Sequence, residues 1–213
     1  MWINLQASEK IEVLNQVSAK TGLPEFVIEK DWWVCIILKA IFQSKYTNAI
    51  TFKGGTSLSK AYALIERFSE DIDLIIDRHL LGFEELPSPT QIKKLRKASG
   101  SFVINEFREE LIAQLTKLNV DTDQYTIEYN THVDDLSDPN TLEIKYKSVV
   151  PTKDGYIKQR VLLEMSARSL TEPSEEREII SFIDDEFKEL PFADSSFNVL
   201  VVTPTVNRQQ KVD

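Results

Sequence analysis

The sequence reads Thr51-Phe-Lys-Gly-Gly-Thr-Ser-Leu-Ser-Lys60 and, a short interval later, Arg67-Phe-Ser-Glu-Asp-Ile-Asp-Leu-Ile-Ile-Asp77. The first segment is a glycine-rich turn that opens a predicted helix, and its backbone N–H groups suit an anion such as phosphate. The second segment places an Asp-x-Asp pair at the head of an apolar strand, and paired carboxylates suit a hard divalent cation such as Mg²⁺. Together the two segments indicate an enzyme that handles a nucleoside triphosphate.

The Asp-x-Asp pair consists of Asp71 and Asp73, which stand two residues apart in a predicted strand. Their side chains therefore leave the same face of the sheet. Two neighbouring carboxylates repel each other unless a cation lies between them. The rest of the strand is apolar enough to be central, and acids in such a strand are costly without a partner. A lone Asp-x-Asp motif is common in proteins, so a metal site also requires a third acid.

The third acid is predicted in a strand over residues 157–167, where Glu164 stands among apolar residues. Alternation places Glu164 and Arg168 on one face of that strand, so a salt bridge between them is the alternative to a metal site. Beside an Asp-x-Asp strand we favour the metal. Glu143 is the competing acid, but the strand over residues 142–147 alternates so regularly that Glu143 and Lys145 fit its solvated face.

The glycine-rich turn removes side chains where a backbone must approach a ligand closely. Gly54 and Gly55 are followed by Thr56 and Ser57 and preceded by Lys53. The spacing differs from that of a P-loop, in which the lysine follows the glycines. The alternative interpretation is a tight strand-to-helix turn in which Thr56 caps the helix and no phosphate binds.

The assembled stretch resembles a known family. Lys53-Gly-Gly-Thr-Ser-Leu58, followed by Arg67-Phe-Ser-Glu-Asp-Ile-Asp-Leu74, is similar to the AbiEii/AbiGii toxin family of nucleotidyltransferases, within the DNA polymerase beta-like nucleotidyltransferase superfamily. Ile28-Glu-Lys-Asp-Trp-Trp33 matches the family's usual lead-in, and Leu163-Glu164 followed by Glu172-Pro173 fits its later acidic strand. The resemblance covers about residues 20 to 180, and the combination is more specific than any one piece.

This resemblance implies an α/β (α+β) fold with a small mixed sheet flanked by helices. Asp71, Asp73 and Glu164 would be the catalytic acids and would bind two Mg²⁺ ions, with Glu164 helping to activate the incoming hydroxyl. The residues that would bind the nucleotide are Lys53, Gly54, Gly55, Thr56, Ser57, Arg67 and Ser69. Lys53 and Arg67 would neutralise phosphate charge, unless they are structural ion-pair partners, and Ser69 could also cap or bond locally.

The implied function is Mg²⁺-dependent transfer of a nucleoside monophosphate to a hydroxyl of an RNA, such as tRNA, or of a protein, with a cognate antitoxin as partner. Family members usually continue into a helical half after a strand and a proline like Pro204, and that half carries a further lysine and aspartate. Here the sequence turns polar and ends at Asp213, and Lys211 is a poor substitute. The alternative expectation is a truncated, catalytically impaired homologue that binds a nucleotide or a partner.

Composition sets outer limits on these interpretations. The net charge of −9 argues against a protein that coats nucleic acid, which would carry a basic surplus. A single cysteine, Cys35, excludes an internal disulfide, and its apolar surroundings predict a buried packing role. No apolar run approaches the roughly 20 residues needed to span a bilayer, and the N-terminus lacks a signal pattern, so we expect a cytoplasmic protein.

The predicted organisation is one domain over residues 1–204, with N-terminal helices in 8–44, a catalytic core over about 50–170 and a polar tail over 205–213. The predicted helices span residues 8–20, 24–44, 56–65, 90–118 and 179–187. The predicted strands span residues 50–52, 72–76, 125–129, 142–147, 157–167 and 197–202. Asp154-Gly155 signals a hairpin turn, and residues 172–178 read as a polar link.

Two charged clusters allow a structural and a functional interpretation. In the apolar helix over 24–44, Glu29, Lys30 and Asp31 are either solvated first-turn charges or residues that line a site. Another cluster, in the long helix over 90–118, is either a solvated face or a substrate-binding patch. It comprises Lys93, Lys94, Arg96 and Lys97.

Overall fold

The computed structural model describes residues 1–65, 71–84, 88–129, 139–150, 158–167 and 172–204. The helices in these ranges are α1 (Ala7–Thr21), α2 (Glu25–Phe42), α3 (Gly54–Lys60), α4 (Pro89–Ser101), α5 (Arg108–Lys117) and α6 (Phe182–Glu186). The strands are β1 (Ile50–Lys53), β2 (Asp71–Ile76), β3 (Tyr125–Tyr129), β4 (Asn140–Tyr146), β5 (Arg160–Ser166), β6 (Ser174–Ile179) and β7 (Phe197–Val202). No described helix is long and apolar enough to cross a membrane.

The strands form one mixed sheet in the order β3-β4-β5-β2-β1-β7-β6. The Asp-x-Asp strand β2 is central, as its apolar sequence predicts. It pairs antiparallel with β1 and parallel with β5. The β1–β7 pair is also parallel, and the remaining neighbours are antiparallel. The predicted mixed sheet flanked by helices is therefore confirmed, and β2 lies between β1, which carries Lys53, and β5, which carries Glu164.

Helix α2 is buried along almost its whole length, as its apolar sequence indicates. Every residue from Val27 to Phe42 is buried, including Cys35. Trp33 stacks on Tyr146 of β4, with ring centroids 5.1 Å apart and an interplanar angle of 17°. A helix that is apolar on every face is the expected centre of a core.

The charges near the start of α2 are buried, so their interpretation as solvated first-turn residues is wrong. Glu29, Lys30 and Asp31 expose 2%, 1% and 1% of their surface. The Lys30 ammonium donates to the main-chain carbonyl of Lys158, and Asp31 pairs with Lys60 of α3. Buried charges require such partners, and these partners come from distant parts of the chain. The residues next to this cluster in the sequence therefore do not reveal its partners.

The buried Glu29 carboxylate yields a prediction for the pH dependence of stability. It accepts hydrogen bonds from the Ser148 hydroxyl and, at 2.9 Å, from Val149 N–H. Burial raises the pKa of Glu29, although these bonds and the charge of Lys10 oppose the rise. A raised carboxyl pKa in the folded state means that this group lowers stability as pH rises above its unfolded pKa.

Glu29→Gln should therefore gain stability relative to the wild type as pH rises from about 4.5 towards neutrality, since the variant retains an acceptor for Val149 N–H. Urea unfolding at a series of pH values measures the free-energy difference. Glu12→Gln, on the exposed face of α1, is the control, because it makes the same substitution at an exposed carboxylate and its pH profile is subtracted from that of Glu29→Gln. A Glu29→Gln advantage that shrinks with rising pH would contradict the assignment.

Two elements differ clearly from the predictions. Helix α3 begins at Gly54 and ends at Lys60, where the prediction was residues 56–65. A strand, β6, stands where a polar link was predicted, because it lies at the sheet edge and five of its six residues remain at least partly in solvent. The polar composition of such an edge strand resembles that of a loop. The predicted Asp154-Gly155 turn lies outside the described residues.

The long predicted helix contains a π-helical segment, Phe102–Phe107, between α4 and α5. The helical winding therefore changes two residues after Gly100. Lys93, Lys94 and Lys97 are exposed, as a solvated face requires, and Arg96 is half-buried. The substrate-binding alternative for this basic cluster stays a prediction.

Candidate active site

The sheet brings the predicted acids together on one face. In the β2–β5 pair, Asp73 lies beside Glu164, and in the β1–β2 pair, Lys53 lies beside Asp73. Across β4, Thr141 lies beside Glu164. Residues in register on neighbouring strands project from the same face, so Lys53, Asp73, Glu164 and Thr141 form one line across four strands, here called the polar row. Asp71 lies on the same face, two residues before Asp73.

Alternation explains why this face is available for chemistry. In β5, Val161, Leu163 and Met165 are fully buried beneath the helices, while Glu164 is half-buried on the opposite face. In β2, Ile72 and Leu74 are buried, while Asp71 and Asp73 are half-buried. The predicted two-face pattern of both strands is thus confirmed over the described residues. The acids lie on the face of the sheet that is partly open to solvent.

Asp73 and Glu164, the carboxylates of the polar row, are partly buried and lie close to other acids, so their charged forms are destabilised. Burial raises the pKa of Asp73, and the Asp71 carboxylate adds to the rise while Lys53 opposes it. Burial also raises the pKa of Glu164, and the charges of Asp73 and Asp71 raise it further, again against Lys53. Mutual repulsion combined with partial burial is the condition that a bound cation would relieve.

The glycine turn lies directly against the acids. Gly54 has φ +78°, a left-handed conformation that favours glycine. A Cβ added to Gly54 would lie 1.9 Å from Oδ2 of Asp73 and 2.7 Å from its Cγ. The absence of a side chain at residue 54 therefore lets the turn and the carboxylate share this space. The close approach that the structure shows is to Asp73, and the predicted approach of this backbone to a ligand stays a prediction.

The hydroxyls that follow the glycines have protein partners. The Thr56 hydroxyl donates to the main-chain carbonyl of Asp71, and the Ser57 hydroxyl donates to that of Gly54 at 2.8 Å. These bonds tie α3 to the start of β2 and close the turn. Phosphate binding by residues 54–57 stays a prediction, and it would rest on backbone N–H groups. Arg67 and Ser69 lie outside the described residues.

The donor set fits a hard cation by its chemistry. Asp71, Asp73 and Glu164 present carboxylate oxygens, the ligands that Mg²⁺ prefers. Among the described residues, no group of three acidic, histidine or cysteine side chains is arranged to hold a metal ion. Because the three acids share one face of adjacent strands, side-chain rotation is enough to change their spacing.

The competing acid, Glu143, has structural partners. Arg160 Nη1 lies 2.5 Å from Glu143 Oε1, and Lys145 Nζ lies 4.0 Å from the other carboxylate oxygen. This agrees with the interpretation of Glu143 and Lys145 as the solvated face of their strand. Arg168, the alternative partner for Glu164, lies outside the described residues.

Two clefts among the described residues, with volumes of about 630 and 620 Å³, lie away from the polar row. Both adjoin the connection between β6 and α6, where Glu178 and Asp185 line each of them. Neither contains Asp71, Asp73 or Glu164 among its lining residues. The chemistry of the side chains, rather than the size of a cleft, identifies the polar row as the candidate site.

Thr141 is the member of the polar row that the sequence did not single out. The predicted strand begins at residue 142, whereas β4 begins at Asn140. Extending the alternation of Glu143 and Lys145 back by two residues would have placed Thr141 on the same face. Its position next to Glu164 still depends on the pairing of β4 with β5, which alternation does not specify.

Comparisons with known proteins agree with this arrangement. A family model described as "Nucleotidyl transferase AbiEii toxin, Type IV TA system" matches residues 36–206. Among solved structures, MenT4, a nucleotidyltransferase toxin from Mycobacterium tuberculosis H37Rv, superposes with a TM-score of 0.50 at 16% identity. The match covers 94% of this chain and 55% of that one, so the chain spans about half of its neighbour's length. None of the curated proteins compared with the chain matches it.

The family match confirms the resemblance identified in the sequence. It includes the glycine turn, the Asp-x-Asp strand and Glu164, which are the elements that the structure brings together. The structural likeness, at its low identity, supports the fold. Since the family model covers 171 of 213 residues, the chain belongs to the AbiEii family of nucleotidyl transferase toxins.

Proposed function

We propose that this chain transfers a nucleoside monophosphate from a nucleoside triphosphate to a hydroxyl of an RNA in a Mg²⁺-dependent reaction. The observation that carries the proposal is the register of the sheet, which lines up Asp73 with Glu164 beside the Gly54 turn. An acid cluster beside a glycine turn combines a cation site with a place for phosphates. Membership of the family supports the same reaction class.

In this proposal Asp71, Asp73 and Glu164 hold the metal, and Lys53 lies on the side of Asp73 away from Glu164. Bound Mg²⁺ would neutralise phosphate charge and stabilise the attacking and leaving oxygens of an in-line displacement. The Gly54–Ser57 backbone would hold the triphosphate, and Lys53 would offset its charge. Arg67 and Ser69 are further candidates for phosphate contacts, by the family resemblance.

The chemical step joins the acceptor hydroxyl oxygen to the α-phosphorus and breaks the bond between that phosphorus and the oxygen bridging to the β-phosphate. Pyrophosphate leaves with the bonding electron pair. Glu164 accepts the proton of the hydroxyl.

The family's description as part of a type IV toxin–antitoxin system supports a further proposal, that the activity is toxic and that a cognate antitoxin counteracts it. An RNA acceptor such as tRNA is proposed from the sequence resemblance alone. We place the reaction in the cytoplasm, where triphosphates and RNA are abundant.

Incubation of the purified chain with each labelled nucleoside triphosphate and total RNA should move label into RNA when Mg²⁺ is present. EDTA should abolish the transfer, because the acids of the polar row alone repel the triphosphate. Gel separation of the RNA measures the product and identifies the preferred nucleotide. Pyrophosphate should appear in an equal amount.

The same experiment separates transfer from simple binding. Mg²⁺-dependent nucleotide binding without labelled RNA or protein would support the alternative of a nucleotide-binding homologue. Label in protein would support the other acceptor class. If no nucleoside triphosphate binds with Mg²⁺, both the reaction and the site assignment are wrong.

A further inference from the structure

Helix α3 links the candidate site to the interior of the protein. Its first residue, Gly54, lies against Asp73, and the Thr56 hydroxyl bonds to the start of β2. Its last residue, Lys60, points into the core. The helix has only seven residues, and a helix of this length does not hold itself together in water. Its position therefore depends on what fixes its two ends.

The Lys60 ammonium is held on three sides. It lies 2.8 Å from Oδ1 of Asp31 and donates to the carbonyl of Ile180 at 2.9 Å. It also lies 4.5 Å from the centre of the Phe182 ring. The Lys60 side chain is 12% exposed and that of Asp31 is 1% exposed. This environment fixes the end of α3 in one place.

Asp31 extends the same contact to a third element. Its Oδ2 accepts a hydrogen bond from Phe182 N–H at 2.9 Å, at the start of α6. Its Oδ1 receives no further hydrogen bond from the described residues, so the ammonium of Lys60 alone compensates that oxygen. The Lys60–Asp31 pair thus joins α2, α3 and α6 at one buried point.

The Lys60–Asp31 pair contributes more to the fixed position of α3 than to the free energy of folding. Removing two charges from water costs about as much as their attraction returns, so a buried ion pair is weak evidence for net stabilisation. Burial alone would lower the pKa of Lys60, but the adjacent Asp31 carboxylate raises that pKa overall, so the lysine stays charged. A charged pair in an apolar core tolerates few alternative arrangements, because separating the charges leaves both uncompensated.

We propose that Lys60 and Asp31 are positioning residues, which fix the inner end of α3 and thereby hold the Gly54–Gly55 turn against Asp73. The effect of this positioning on nucleotide binding rests on the function proposed above. Neither residue contacts the reacting atoms in this assignment. Asp31 belongs to the charge cluster near the start of α2, and the alternative interpretation of that cluster was that it lines a site. In this proposal Asp31 supports the candidate site from the opposite end of α3.

The first test measures amide hydrogen exchange in the full chain for Lys60→Met, Asp31→Asn and the double variant. The control is Lys39→Met, which removes another α2 ion pair, 2.7 Å long, between Lys39 and Asp194. Exchange over residues 54–60, relative to β4 in the same sample, should be about tenfold faster in the three test variants and unchanged in the control.

The double variant separates positioning from stability. It leaves no uncompensated buried charge, so its melting temperature should recover towards that of the wild type. Exchange over residues 54–60 should nevertheless stay fast, because no ion pair holds the end of α3. Recovery of both properties, or exchange in all variants equal to that of Lys39→Met, would overturn the positioning role.

The second test titrates each variant with the Mg²⁺–nucleoside triphosphate that the wild type binds best. The double variant should bind about tenfold more weakly and Lys39→Met as well as the wild type, since a displaced turn misplaces the phosphates. Equal binding by the double variant and the wild type would overturn the positioning role. If the wild type itself binds no nucleotide, the proposed function fails, and the exchange measurement still decides the positioning role.

Discussion

Asp73→Asn is expected to abolish Mg²⁺-dependent nucleotide transfer while leaving the fold intact. The rate should fall by at least about 10³-fold, because the carboxylate supplies several kcal/mol of stabilisation through the metal. The variant should melt at the same temperature as the wild type or a higher one, since burial and Asp71 both raise the pKa of Asp73 and an amide removes that frustration. Single-turnover transfer assays and thermal melts measure the two effects.

Glu143→Gln is the matched control for this experiment. Glu143 lies on the same face of the sheet, on β4, which β5 separates from β2, but it pairs with Arg160 rather than joining the polar row. Its loss should change the transfer rate by no more than a few fold, since a partly exposed ion pair contributes about 1 kcal/mol or less. Equal losses in the two variants would mean that a general acidic surface matters, and the assignment of Asp73 would be wrong.

Gly54→Ala is expected to reduce transfer by about 10²-fold, a loss typical of a displacement of about 1 Å in an active site. The new methyl group would lie 1.9 Å from Oδ2 of Asp73, so the carboxylate or the turn must move. The left-handed φ of +78° adds a backbone cost of about 1–2 kcal/mol. Transfer assays and Mg²⁺–nucleotide titrations, both well below the melting temperature, measure the loss.

Gly82→Ala separates the two causes. Gly82 has almost the same φ, +79°, but nothing lies within 4 Å of its added Cβ. Both variants should therefore lose similar stability through backbone strain, and only Gly54→Ala should lose transfer. If Gly82→Ala loses as much activity, or if Gly54→Ala keeps full activity, the contact between residue 54 and Asp73 has no catalytic importance.

The parts of the site that lie close together in the sequence were predictable. Gly54 and Gly55 indicate a backbone that approaches another group closely. The alternation around Asp73 places the carboxylate of this residue on the partly exposed face of the sheet. The apolar run after Asp73 predicts a central strand, which the structure confirms. Local backbone geometry determines each of these features, so a few neighbouring residues are sufficient to reveal them.

Other features were missed because their cause lies far away in the chain. Glu29 and Asp31 read as charges that water could solvate, yet their partners are Val149 and Lys60. The sequence of β6 resembles a polar link, because this strand lies at the sheet edge and most of its residues are exposed to solvent.

The sequence by itself indicated the family, through the resemblance of its motifs, and it predicted the central strand and the three candidate acids, because glycine conformation and strand alternation are encoded by neighbouring residues. Only the tertiary structure decided which acids stand together. The parallel pairing of β2 with β5 sets Asp73 beside Glu164, and the pairing of β4 with β5 adds Thr141. Strand order and register depend on how complete apolar faces pack beneath the sheet, and that packing is a property of the whole chain.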